Sequence, residues 1–252
     1  MTKWTKVEKG ILSFSIMLAL IFVTSETAYG MHIMEGYLPL LHCISWGAIS
    51  IPFLIGGVIT IRRTVQQKRR TLILLAMSGA YIFVLSSLKI PSVTGSCSHM
   101  TGTGLAAIIF GPLVTSILGI IVLVFQAILL AHGGLTTLGA NTFSMAIAGP
   151  IFSILLYTAG KKLKLNRKMN IFIAAALGDL FTYCVTSLQL ALAYPSETGG
   201  VVASAVKFLA IFAPTQLPLA IIEGILTVII VIGLESFAEP ELKEIGFLKE
   251  GN

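Results

Sequence analysis

Met31 and His32 are the two residues whose order could create a metal site. They follow Gly30 at the start of the sequence MHIMEG. If the chain is cut after Gly30, the amine of Met31, the backbone nitrogen of His32 and its imidazole can close fused chelate rings around one divalent ion. Without that cut, His32 is a polar residue at a membrane interface. The chemistry therefore depends on the segment that precedes Met31.

Residues 1–30 have the pattern of a secretory signal peptide. Lysines at positions 3, 6 and 9 precede the short apolar run of residues 11–23, and Ala28 and Gly30 occupy the −3 and −1 positions of a cleavage site. The alternative is an uncleaved anchor, but the apolar run is shorter than the ~20 residues that span a bilayer. We therefore predict a signal peptide at 1–30 and one multi-pass membrane domain at 31–252.

The composition indicates a membrane protein. Hydrophobic residues make up 56% of the 252 residues, charged residues only 11%, and the mean hydropathy is +0.93. Soluble domains average about 25% charged residues. The net charge of +6 comes from short basic runs between apolar spans, a pattern that sets membrane orientation and does not indicate nucleic-acid binding.

Two basic loops predict the topology. Residues 62–70 and 161–168 are rich in Lys and Arg and are therefore expected in the cytoplasm. The first mature span, residues 41–61, then runs inward, which leaves Met31 outside the cell. The C-terminal tail is expected in the cytoplasm.

An odd number of crossings is needed between the outer polar segment 91–104 and the second basic loop. Two apolar blocks lie there, so we predict that Gly111-Pro112 breaks the first one, because proline interrupts a helix. Residues of about 101–111 then form a short crossing. The fold class is an all-α membrane protein with about seven transmembrane helices, one of them short and broken.

The four histidines are the main candidates for metal ligands. His99 lies in the polar sequence PSVTGSCSHMTGTG, so residues 91–104 are the predicted metal-binding loop and 31–40 the metal-capturing N-terminus. The alternative for His99 is a ring satisfied by the loop backbone. His132 is expected to cap the end of its helix, and His42 to lie at the start of the first span.

Other donors lie near these histidines. Glu35 could orient His32 or cap a helix start. The sulfur atoms of Met34, Cys97 and Met100 would suit copper(I). The sequence has no GxxxxGK[ST], HExxH or GxSxG motif, which argues against ATP hydrolysis or hydrolase chemistry in this chain. We expect neither an enzyme nor an organic cofactor.

Three blocks of sequence resemble a known family. They are MHIMEGYLP, PSVTGSCSHMTGTGL and FGPLVTSILGIIVLVFQAILLAHGGLTTLGANTFSMAIAGP. They are similar to the substrate-binding membrane subunits of energy-coupling-factor (ECF) cobalt and nickel transporters, the CbiM/NikM family, and most of all to the cobalt, CbiM-type subunits. The resemblance covers the chain from Met31 onward. It implies an S-component-like bundle in a bacterial or archaeal cell membrane that captures extracellular Co²⁺, or Ni²⁺, for import and cobalamin biosynthesis.

The resemblance also implies ligands and partners. The ion is held by the amine of Met31, the amide and imidazole of His32, and the imidazole of His99. Glu35, Cys97 and Ser98 are candidates for positions around these ligands. The implied partners are a transmembrane coupling subunit, ABC-type ATPase subunits and a small accessory membrane protein. The family often has proline after the loop histidine, where this chain has methionine. The preference for cobalt rests on the resemblance.

Two other functions are compatible with the residues. A self-sufficient secondary transporter of divalent ions would move its substrate without an ATPase, but the chain offers few intramembrane carboxylates for proton coupling. A metal-dependent membrane enzyme would need a general base beside the metal, and Glu35 is the one nearby candidate.

Overall fold

The computed structural model describes residues 32–91 and 97–248, and at Pro91 and Cys97 it describes the backbone alone. The predicted signal peptide, Met31 and the first part of the polar loop lie outside the described residues. So does the side chain of Cys97.

The described chain is almost entirely helical. The α-helices in chain order are α1 (Leu40–Gln67), α2 (Thr71–Ser87), α3 (Thr103–Phe110), α4 (Pro112–Leu129), α5 (Leu138–Asn141), α6 (Gly149–Lys162), α7 (Arg167–Ala193), α8 (Gly200–Phe237) and α9 (Glu239–Glu244). A π-helical segment, Thr142–Ala148, joins α5 to α6. Two short strands, β1 (Ile90–Pro91) and β2 (Cys97–Ser98), pair antiparallel at the base of the polar loop.

Five helical stretches in the described chain are long and apolar enough to cross a membrane. They are Leu40–Gln67, Pro112–Leu129, Leu138–Lys162, Arg167–Ala193 and Gly200–Phe237. This confirms the predicted class, a multi-pass all-α membrane protein. The predicted count of seven spans would also need α2, which has 17 residues, and α3, which has 8. Helix α3 overlaps the short crossing predicted at about 101–111, and the count of seven remains a prediction.

The predicted break at Gly111-Pro112 is confirmed. Helix α3 ends at Phe110 and α4 begins at Pro112. Gly111 has φ +85°, a conformation that glycine adopts at little cost, and proline is well suited to the first position of the next helix. Residues 103–109 of α3 are all buried, and the helix packs against α4, α6 and α7. The short helix is therefore a core element.

Helices pack closely around this core. A Cβ atom at Gly119 would lie 2.4 Å from the Cβ of Ala146, so α4 packs tightly on the π-helical segment. Helix α1, by contrast, exposes large apolar side chains such as Leu41, Ile44 and Ile55, as expected of a helix that faces lipid. The segment that carries His32 precedes the start of α1, and the basic residues 62–70 lie at the other end of this helix.

Candidate metal centre

Three histidine rings converge in the interior of the protein. The ring centroids of His32 lie 4.5 Å from those of both His99 and His132, and the latter two are 5.0 Å apart. One nitrogen from each ring lies within 4.8 Å of the others, and the three residues are at most 4% exposed. Imidazole is a preferred ligand of first-row transition metals. The structure thus brings together the two histidines that the sequence proposed and adds a third.

His132 does not have the predicted capping role for its side chain. Its backbone N–H donates to the carbonyl of Gln126 at the end of α4. The ring turns towards His32, and its Nε2 has no hydrogen-bond partner among the described residues. The backbone therefore satisfies the helix end, and the ring is available to the cluster. His42, at the start of α1, is not part of the cluster.

The contact between the His32 and His99 rings joins one nitrogen of each ring. Nδ1 of His32 lies 2.6 Å from Nε2 of His99, and Nδ1 of His99 lies 2.9 Å from the carbonyl oxygen of Met100. A carbonyl only accepts, so Nδ1 of His99 carries the proton and its Nε2 presents a lone pair.

Chelation would use Nδ1 of His32 and not its Nε2. From the amide nitrogen of His32, only Nδ1 closes a six-membered ring with a metal ion. Two ligands at right angles and at metal–nitrogen distances of about 2.0–2.1 Å would lie roughly 2.9 Å apart. The observed 2.6 Å between Nδ1 of His32 and Nε2 of His99 is close to that value. An ion could therefore replace the proton between these rings with little movement.

Burial keeps the cluster uncharged. It is the largest cause that lowers the pKa of His32 well below its usual value, and the neighbouring rings and Lys89 lower it further. Burial likewise lowers the pKa of His99 to about 4. Unfolded histidines bind protons below about pH 6.5, so the folded state loses stability as the pH falls from about 6.5 towards 4. At neutral pH the rings are neutral and can coordinate.

The segment that carries His32 is docked on residues 133–141, which we call the N-terminal cradle. Asn141 accepts from the N–H of Ile33 at 2.8 Å and donates to its carbonyl at 3.0 Å. The hydroxyl of Thr137 donates to the same carbonyl at 2.6 Å. All three residues are buried, and these bonds hold the backbone directly after His32.

Glu35 anchors the same segment to the N-terminal cradle. Its carboxylate accepts from the N–H groups of Leu135 at 2.5 Å and Thr136 at 3.2 Å, just ahead of α5. Hydrogen bonding to the Thr136 side chain is the main cause that lowers the pKa of Glu35. A Cβ atom at Gly134 would lie 2.5 Å from Cα of Glu35, so a side chain there would push the segment away. These contacts join Glu35 to the cradle and not to the His32 ring, and a place for Glu35 around the metal ligands stays a prediction.

The polar loop is held from the opposite side by α8. The hydroxyl of Ser98 lies 2.7 Å from that of Thr215, so Ser98 binds α8 and not the histidine rings. The amide of Gln216 donates to the carbonyl of His99 at 3.2 Å. Sequence reasoning missed Asn141 and Thr137, although polar residues inside apolar stretches were a signal that could have pointed to them.

Replacing Asn141 with leucine is expected to undock the His32 segment, because both hydrogen bonds to Ile33 depend on the amide. We expect Co²⁺ affinity to fall ~10-fold or more, as for lost groups that orient metal ligands. Isothermal titration of the signal-processed protein measures this. Asn170→Ala is the control, because it removes an amide bond to the carbonyl of Tyr157 near the start of α7. Equal affinities in the two variants would contradict the assigned role.

The fold and the cluster define a multi-pass membrane protein whose interior holds three imidazoles that could bind a transition-metal ion. Residues 32–241 match the CbiM family, described as "Cobalt uptake substrate-specific transmembrane region". The chain belongs to this family and is a membrane component of cobalt uptake.

Relatives and solved structures agree with this assignment. The chain is 66% identical to the "Cobalt transport protein CbiM" of Lachnoclostridium phytofermentans over 98% of both chains. It is 62% identical to that of Clostridioides difficile over 84% of this chain and 85% of the relative. A crystal structure described as a transition metal transporter is similar with TM-score 0.70 and 27% identity, over 82% of this chain and 94% of that one. A truncated transition metal transporter matches with TM-score 0.70 and 25% identity, over 81% and 98%.

Proposed function

We propose that this chain is the substrate-capture subunit of an ATP-driven ECF-type importer, which binds extracellular Co²⁺ and passes it inward for cobalamin biosynthesis. The observation that carries the proposal is the 2.6 Å approach of Nδ1 of His32 to Nε2 of His99 inside a buried cluster. The amine of Met31 and the amide of His32 would complete four nitrogen ligands after cleavage at Gly30. His132 lies beside this set and is a further candidate ligand.

The outside position of the site is supported by the length of α1. This helix begins at Leu40, close after the His32 segment, and ends at Gln67 within the basic loop. Its 28 residues extend about 42 Å, enough to cross a bilayer. A cavity of about 560 Å³ opens beside His32 and is lined by residues including Tyr37 and Tyr194. If the basic loop is cytoplasmic, this cavity is on the outer side and gives an ion access to the rings.

Family membership supports the proposed partners and the proposed metal. We propose that a transmembrane coupling subunit and ABC-type ATPases drive release inward, with a small accessory membrane protein, since the sequence has no ATP-binding motif of its own. Four nitrogen ligands would hold Ni²⁺ at least as well as Co²⁺ by the usual affinity order. The alternative is therefore the same role for Ni²⁺.

Titration and uptake test the proposal together. The purified, signal-processed protein should bind one Co²⁺ per chain, and N-terminal sequencing should begin at Met31. Liposomes that contain this chain alone should take up no Co²⁺, and uptake should need the coupling subunit, the ATPases and ATP. Uptake by the chain alone would instead establish a self-sufficient transporter. Absence of Co²⁺ or Ni²⁺ binding would refute the proposed function.

The pH dependence of binding should come from the terminal amine and amide and not from the imidazoles. The histidines are already neutral near pH 7, since burial lowers the pKa of His99 to about 4. An α-amine has a pKa of about 7.7–8.0. We expect roughly two protons to be released per ion at pH 6.5 and roughly one above pH 8.5, because only the amide is then protonated. Isothermal titration in buffers of different ionisation enthalpy counts the protons released per ion. Release of a third proton at pH 6 would contradict the neutral state of the histidine rings.

A further inference from the structure

Helix α8 presents two buried polar side chains to the loop that carries His99. Gln216 and Glu223 are both 0% exposed and lie seven residues apart, which places them on the same face two turns from each other. Polar groups inside a membrane bundle are costly unless they are satisfied, and they often mark functional positions. The partners of these two side chains therefore indicate their role.

Glu223 binds both hydrogen-bond donors of one loop residue. Its carboxylate accepts from the backbone N–H of Thr101 at 2.6 Å and from the hydroxyl of Thr101 at 3.0 and 3.2 Å. Thr103, at the start of α3, donates to the same hydroxyl at 3.2 Å. These bonds tie both the backbone and the side chain of Thr101 to α8.

Gln216 holds His99 itself. Its Nε2 donates to the carbonyl of His99 and, at 2.6 Å, to the carboxylate of Asp179 on α7. Because Asp179 accepts this bond, the amide of Gln216 is held with its nitrogen, and not its oxygen, towards the His99 carbonyl. The carbonyl of Met100, between the two tied residues, accepts from Nδ1 of His99. Fixing the backbone on both sides of Met100 therefore fixes the direction of the His99 ring.

The two halves of the cluster thus rest on different supports. The His32 segment is bonded to the N-terminal cradle, whereas His99 is bonded to α8. The helix contains Pro214 and Pro218, which flank Gln216. Each proline lacks the N–H group for one backbone hydrogen bond of the helix. Ile33 lies in the same buried apolar cluster as Phe212 of α8, so this helix borders both halves of the site.

We infer that Gln216 and Glu223 are positioning residues of the metal site, which aim Nε2 of His99 at His32 through the contacts of α8 with the loop. The inference rests on the proposed function, because it assigns these residues a role towards the same ion. Neither residue touches the ion. Both act through the backbone of residues 99–101.

Alanine variants of the two residues test the inference. Gln216→Ala and Glu223→Ala should weaken Co²⁺ binding by about 10–100-fold and shift the ligand-field absorption of bound Co²⁺, since the His99 ring loses its fixed direction. Glu223→Gln keeps an oxygen for Thr101 and should stay within about threefold of wild type, with a wild-type spectrum. Asn170→Ala loses a buried amide bond near the start of α7, nine residues before Asp179. This control should leave affinity and spectrum unchanged. The melting temperature without metal is measured for every variant.

The outcomes separate this inference from the proposed function. If the wild-type protein binds no Co²⁺, the proposed function fails. If wild type binds and both alanine variants keep its affinity and spectrum, the inference is overturned. It is also overturned if Asn170→Ala loses as much affinity as they do, because the effect is then general destabilisation. If an alanine variant does not fold, Thr101→Val removes the hydroxyl that bonds to Glu223 and Thr103 but keeps the backbone N–H bond to Glu223. A smaller loss of affinity, about threefold, with a shifted spectrum is then expected, and an unchanged affinity and spectrum would overturn the inference.

Discussion

Two alanines inserted between Gly30 and Met31, with cleavage still after Gly30, are expected to abolish high-affinity Co²⁺ binding. The new terminal amine would lie two residues further from His32, so the fused rings through the amine, the amide and Nδ1 could no longer form. We expect a loss of at least ~100-fold, equivalent to about 2.7 kcal/mol. One alanine would be a poorer test, because it makes His32 the third residue, where the amine, two amides and the imidazole could form another chelate.

Isothermal titration with Co²⁺ measures the effect, after N-terminal sequencing has established the cut. Two alanines added after Asn252 serve as the control, because they lengthen the chain by the same amount away from the site. Unchanged affinity in the insertion variant would exclude the terminal amine from the ligand set. It would leave the three imidazoles as the donors, and the neutral rings described above could still hold an ion.

His99→Ala is expected to produce a comparable loss, again ~100-fold or more. The substitution removes Nε2, the nitrogen that faces His32 at 2.6 Å, and with it the one proposed ligand that the polar loop supplies. The result is read from the Co²⁺ dissociation constant and from the absorption spectrum of the bound ion.

His42→Ala is the matched control for this variant. His42 is the same residue type near the same end of α1 but lies outside the three-histidine cluster. Wild-type affinity in His99→Ala would remove His99 from the ligand set. A third arm, His132→Ala, would determine whether the additional ring coordinates the ion or only lines the site.

Local patterns predicted most of the fold. Apolar runs predicted the long helices, and the Gly-Pro pair predicted the break between α3 and α4, because proline and glycine act on the backbone at their own positions. Histidine type and loop composition also singled out His32 and His99, which the structure brings together. These predictions needed no knowledge of distant contacts.

The roles of His132 and Glu35 could not be predicted in the same way. Helix-end rules predict that the His132 side chain caps α4. No local pattern shows that the backbone N–H of His132 bonds to the last turn, which leaves the ring available to the cluster. The partners of Glu35 lie 100 residues further along the chain, so only the tertiary fold identifies them. Asn141 reads as an ordinary polar residue until its contact with Ile33 is known.

The docking of the N-terminal segment has a consequence for the order of assembly. Ile33 and Asn141 are 108 residues apart in the sequence, so the cradle is made long after the segment that it receives. At about 5–20 residues per second, that interval lasts roughly 5–20 s during synthesis. The segment can dock only after the first helices have been inserted, and closing so long a loop is entropically costly. Competence to hold an ion is therefore acquired late in biogenesis, when the π-helical region has reached the membrane.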